Sequence, residues 1–262
     1  MTETEETPWS YHFTGRVHPE RTYLSLSGLS FQVKIPSLGL NGNLTLSILE
    51  GQLSINSACE DEIQDLFSLR NVARTFAQNL VDVLGYTWGR AYEVEITAVL
   101  PSNGKHLVFG VGDAVLENAV ADRPLPIEVL LELSASNIWL RRALGELRRS
   151  ISEPDDTGFH CQRAIESIRR HFQEEKNEKH GWQTMRAALN LSEETLRILN
   201  EFGDPQRHGD VILMTYDMRT RDMSLAWKVV DRFVVLLNSE KKSLPKDEFP
   251  ILYPPTSNRV LF

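Results

Sequence analysis

Along this chain the spacing of apolar residues changes from every second residue to every third or fourth. That change limits the fold more than any other feature of the sequence. In the first half, "YHFTGRV" places Tyr11, Phe13 and Val17 on one side, and "TYLSLSGLSFQVKI" alternates first at Leu24 and Leu26, then at Phe31, Val33 and Ile35. "GNLTLSILEGQLSINS" continues with Leu44, Leu46, Ile48, Leu53 and Ile55. Successive side chains of a strand point to opposite faces, so these are half-buried strands with Ser, Thr and Gln facing out. Short links, "LNGN" around Gly42 and "EGQ" around Gly51, predict hairpins and an antiparallel sheet. Between residues 60 and 84, Ile63, Leu66, Leu69, Ala73, Phe76, Leu80 and Leu84 recur at helical spacing. One long helix with a single apolar stripe can cover one face of that sheet. Alternation returns at Tyr92, Val94, Ile96 and Ala98, and Asn103-Gly104 predicts a turn into a further strand.

"NAVADRPLPIEVLLEL" reads as a connection interrupted by Pro124 and Pro126. From Ser134 the period is helical. Leu140, Ala143, Leu144, Leu147 and Ile151 align on one segment, and Cys161, Ala164, Ile165, Ile168 and Phe172 on the next. A short "GWQTMRAAL" follows. Ser192 is the expected N-cap of "LSEETLRILNEF", with Leu191 and Leu196 as a hydrophobic staple. Ala226, Val229, Val230, Phe233 and Leu237 align on the last helix. The expected fold class is α+β: an antiparallel sheet with one long helix over 1–134, then an all-α up-and-down bundle over 135–238. Residues 239–262 hold Pro245, Pro250, Pro254 and Pro255 and are expected to run extended along the surface.

The two halves differ in charge. Residues 1–134 carry a net −9, residues 135–238 a net of zero, and the tail +1. An acidic first half is a poor partner for a phosphate backbone. The two cysteines, Cys59 and Cys161, stand outside any CxxC or Cys/His cluster, which argues against a disulfide framework or a zinc site and for a reducing compartment. No apolar run reaches the roughly 18 residues of a membrane span. The start, "MTETEETPWS", lacks the basic and apolar regions of a signal peptide, so the expected location is cytoplasmic.

The stretch "EFGDPQRHGD", residues 201–210, sets Arg207 beside His208 between two glycines and a proline. Gly203 is expected to end the preceding helix, Asp204 and Pro205 to begin a new turn, and Gly209 to close it. As plain structure this is a kink with both side chains in water. Residues 135–238 also resemble a HEPN domain, through the long first helix, the second helix with "CQRAIESIRRHF" and a later helix leading into "RHG" before a final apolar helix. The resemblance implies a helical bundle that often dimerises, many of whose members are metal-independent endoribonucleases. Their motif is an Arg, four to six residues, then a His. The Arg holds the scissile phosphate, and the His transfers a proton at the ribose 2′-OH. His208 carries over as that His. The upstream Arg does not, because Glu201, Phe202 and Gly203 occupy its places.

Two functions follow as expectations. One is a HEPN-like protein that binds a nucleotide, an RNA or a protein partner and pairs with a second copy through its bundle. The other is a metal-independent endoribonuclease with a rearranged site, catalytic residues His208 and Arg207. No motif asks for a cofactor or a metal, and "GVGD" at 110–113 lacks the Lys and Ser/Thr of a phosphate loop. Arg141, Arg142, Arg148, Arg149, Arg163, Arg169 and Arg170 cluster on two helices. Interleaved Glu146, Glu153, Asp155, Asp156 and Glu166 favour a solvated ion-pair face over an RNA surface. Trp139, Trp182 and Trp227 read as packing anchors rather than base-stacking platforms.

Overall fold

The computed structural model describes residues 9–110, 112–119, 124–173, 178–239 and 241–254. The chain divides into two compact units, 1–110 and 111–262.

The first unit is a six-stranded antiparallel sheet formed by β1 (Trp9–His18), β2 (Leu26–Ile35), β3 (Leu40–Leu49), β4 (Gln52–Cys59), β5 (Glu93–Pro101) and β6 (Leu107–Val108). Their spatial order is β2-β3-β4-β1-β5-β6. Phe13 stands opposite Ile55 and Val99, and Leu46 also faces Ile55, so the expected apolar sets meet on one side. That side is covered by α1 (Leu66–Trp88), through Leu69, Val72, Ala73, Ala77 and Val81. Asp65 starts α1 by accepting a hydrogen bond from the Ser68 N–H at 2.9 Å. The helix begins after Ile63, whose N–H instead donates to the Tyr11 hydroxyl at 2.6 Å.

Gly51 does lie in the β3–β4 turn, but Gly42 does not make a turn. It pairs with Val33 on one side and Cys59 on the other, in mid-sheet. A Cβ there would lie 1.9 Å from the Ala58 carbonyl oxygen, so the glycine serves close backbone approach. The β2–β3 link is the 3-10 turn Pro36–Leu38 with Gly39.

The second unit is helical: α2 (Ala114–Asn118), α3 (Ile127–Ser136), α4 (Ile138–Ser152), α5 (Thr157–His171), α6 (Glu178–Leu189), α7 (Glu193–Arg207) and α8 (Tyr216–Ser239). The segment read as a connection therefore contains α3. Pro124 and Pro126 precede it rather than break it, and Pro126 is its N-cap. Leu140, Ala143, Leu147, Cys161, Ala164, Ile165, Ile168, Val229, Val230 and Phe233 form one buried cluster. Leu144, expected on that stripe, is exposed. Ser192 caps α7 as expected, its hydroxyl accepting from the Thr195 N–H at 3.1 Å. The tail runs along the bundle. Asn190 donates to the Leu244 and Phe249 carbonyls at 3.0 and 2.9 Å, and Leu191 bridges Leu252 in parallel.

Candidate functional site

The end of α7 does not kink where the sequence suggested. Gly203 does not end the helix, and Asp204-Pro205 does not start another, because α7 runs unbroken to Arg207 with Pro205 inside it. Pro205 sits in the last turn, where its missing N–H forgoes a single backbone bond. Gly203 is there for contact. A Cβ on it would stand 2.6 Å from the Gln162 Cβ and 2.9 Å from the Gly158 carbonyl oxygen. A Cβ on Gly158 would meet the Phe202 Cβ at 2.7 Å. Two glycines thus let α5 and α7 cross almost backbone to backbone. Gln206 seals the crossing, accepting from the Phe159 N–H at 2.8 Å and donating to the Asp155 carbonyl at 2.6 Å. The helix stops at Gly209, as read. Gly209 has φ 95°, its N–H bonds the Gln206 carbonyl, and the Asp210 N–H bonds the Pro205 carbonyl. These are the paired bonds of a Schellman cap, which a left-handed glycine permits.

The expected site residues go separate ways at this cap. Arg207 turns toward α5, where its guanidinium lies 2.9 Å from a Glu166 oxygen, and it also reaches Asp204 at 3.3 Å. Glu166 is largely buried and also receives Arg163 at 3.4 Å. His208 is the C-cap residue. Its ring is exposed and makes no hydrogen bond or ion pair among the described residues. A general base needs a partner that fixes its tautomer and aim, and no described residue beside His208 supplies one. Most of the arginine cluster is similarly engaged, Arg142 and Arg148 excepted among the described residues. Arg141 donates to the Ser134 and Ala135 carbonyls, Arg149 pairs with Glu146, and Arg169 and Arg170 pair with Glu178. Trp182 and Trp227 pack on the core, Trp182 beneath the Arg169 guanidinium at 5.2 Å.

Two constellations escaped the sequence reading. The first joins α8 to the α4–α5 corner. Arg219, 2% exposed, donates to the Thr157 hydroxyl at 2.8 Å and to the Ser150 and Ile151 carbonyls at 3.3 and 3.2 Å. It is a cation set on the carbonyl end of α4, where the helix dipole favours one. Asp222 is fully buried. One oxygen accepts from Arg221 at 2.9 Å, and the other has no hydrogen-bond partner among the described residues. Burial pushes its carboxyl up to about 7 against the opposing pull of Arg221. Burial also pushes the Cys161 thiol up, so this cysteine is an inert core residue.

The second constellation is at the α4–α5 turn. His160, buried in the first turns of α5, has Glu146 2.8 Å from Nδ1 and Glu153 3.0 Å from Nε2. Asp156 lies beside them, and the ligand atoms of Glu153, Asp156 and His160 fall within 4.8 Å of one another. Among the described residues this is the group able to offer three metal-type ligands to one point.

Residues 11–109 match the model of the N-terminal domain of a domain of unknown function (DUF8168), and residues 127–238 match that of its C-terminal domain. The chain belongs to the DUF8168 family. Both the Arg207 cap and the His160 turn fall within the DUF8168 C-terminal domain, and the polar sheet belongs to the N-terminal one. No curated protein and no solved structure matches the chain. No helix among the described residues is long and apolar enough to cross a membrane.

Proposed function

We propose that this chain is a HEPN-like binding protein without metal-independent ribonuclease activity, and that its bundle binds protein, first of all a second copy of itself. The observation that carries this reading is the pairing of Arg207 with Glu166 and Asp204. A guanidinium bonded to two carboxylates has its charge offset and its fork occupied, so it presents no bidentate face to a phosphate. The pairing of Arg149, Arg163, Arg169 and Arg170 removes the same capacity from most of the surrounding surface.

What the bundle does offer is apolar. Helix α3 packs Leu130 and Leu133 on the core and turns Ile127 and Leu131 outward, 67% and 62% exposed. Ile138 at the start of α4 is 52% exposed. A helix apolar on both sides is built to be covered on both. Light scattering on the full chain tests the surface. We expect a mass near twice 29.9 kDa, falling to the monomer value in Leu131→Glu. A wild-type protein that stays monomeric at tens of micromolar contradicts self-association.

A further inference from the structure

We infer that the α4–α5 turn is a binding site for a transition-metal dication, held by His160 Nε2, Glu153 and Asp156, with Glu146 as the positioning residue behind the histidine. The two nitrogens of the His160 ring face two different carboxylates. Nδ1 lies 2.8 Å from a Glu146 oxygen, so it carries the proton and donates it there. In that neutral tautomer Nε2 has a lone pair, and it points at a Glu153 oxygen 3.0 Å away. Two lone pairs at that distance repel. Something electropositive belongs between them, either a second proton or a cation.

The third ligand favours the cation. Asp156 brings another carboxylate to the same spot. A single proton on Nε2 bridges to one acceptor, whereas a metal ion can take all three groups as ligands. The 3.0 Å between His160 Nε2 and Glu153 also fits, and Asp156 comes within 4.8 Å of both. Ligands about 2.1 Å from a shared ion stand about 3.0 Å apart at right angles and about 3.4 Å apart at tetrahedral angles. A carboxylate behind a ligating histidine is the usual means of fixing its tautomer and raising its basicity. One imidazole and two carboxylates suit ions of the manganese-to-zinc series better than a purely oxygen-seeking Mg²⁺ or Ca²⁺.

The ligands stand on a rigid turn. Pro154 begins the 3-10 turn Pro154–Asp156, whose Asp156 N–H bonds the Glu153 carbonyl at 3.1 Å. The Thr157 hydroxyl bonds the Ser150 carbonyl at 2.9 Å, and Gln206 of α7 holds the Asp155 carbonyl from the other side. Glu146 also receives Arg149, at 3.5 Å. The histidine is buried while Glu153 and Asp156 reach solvent, so an ion has a path in.

The test uses the full chain without an affinity tag, stripped with chelator and titrated with Zn²⁺ by calorimetry. Mn²⁺ binding is followed in parallel by electron paramagnetic resonance. We expect one Zn²⁺ per chain at micromolar affinity. Glu153→Gln and Asp156→Asn, both at solvent-facing positions that leave the fold intact by circular dichroism, should each weaken binding. Glu146→Gln should weaken it by about 10- to 100-fold, the usual loss on removing a group behind a metal ligand. Absence of saturable binding below millimolar Zn²⁺ overturns the site and assigns the second proton to Nε2 instead. Stoichiometric binding that survives the Glu153→Gln/Asp156→Asn double substitution also overturns it.

Discussion

A carboxylate taken out of water prefers to hold a proton, and Asp222 has been taken out completely. Its ordinary value of 3.8 rises to about 7 in the folded chain. Between those values the folded protein keeps a proton that the unfolded chain has released. Its contribution to stability is therefore present at lower pH and lost as pH rises through about 7, at roughly 1.4 kcal/mol per unit. Arg221, Glu201, Arg219 and Cys161 face or surround this carboxyl, so the wild-type curve mixes several groups. The comparison with Asp222→Asn isolates one of them. Thermal melts from about pH 5.5 to 8 should show wild-type stability falling with pH more steeply than that of Asp222→Asn, with the variant the more stable at the alkaline end. Parallel curves contradict the assignment. Gly203 allows a second prediction at this scale. Gly203→Ala should destabilise by about 1–3 kcal/mol, the usual cost of overpacking, because its methyl group meets Gln162 and the Gly158 carbonyl. A chemical melt matching the wild type means that α5 and α7 can move apart freely.

At the scale of elements, the apolar period was the legible part. Every strand with clean alternation formed, and the stripes through Ile165 and Ile168 and through Val230 and Phe233 entered the core. Phe233→Ala should accordingly cost roughly 3–5 kcal/mol in a denaturant melt, and a loss near zero means that the stripe faces solvent. The misreadings share a cause: glycine and proline punctuate a sequence whether they mark a turn or a close contact. Gly42 sits in mid-strand because a neighbouring carbonyl comes near, and Gly203 sits in mid-helix because another helix does. Neither neighbour is close in sequence. Pro124 and Pro126 look like breaks in the sequence but lead into α3. The buried polar cluster did leave a trace. Arg219 and Asp222 precede Ala226, Val229 and Phe233 at helical spacing, so two charged residues lie on an apolar stripe. The His160 turn left less, since Glu146, Glu153, Asp156 and His160 meet only once α4 and α5 fold back on each other.

The whole molecule has an N-terminal antiparallel sheet with one covering helix and a helical C-terminal domain, and both candidate clusters lie in the second. The sequence made Arg207 and His208 look like partners because they are neighbours. In the fold, Arg207 binds Glu166 across the helix crossing and His208 faces solvent. If that separation is the working arrangement, the pair has no cleavage chemistry to perform. The direct measurement is RNA cleavage by the purified full chain in the presence of chelator, with wild type and His208→Ala side by side. Intact RNA is expected with both proteins. Cleavage by the wild type that disappears in His208→Ala, when a positioned acid or base is worth about 100- to 10,000-fold in rate, is the result that contradicts it.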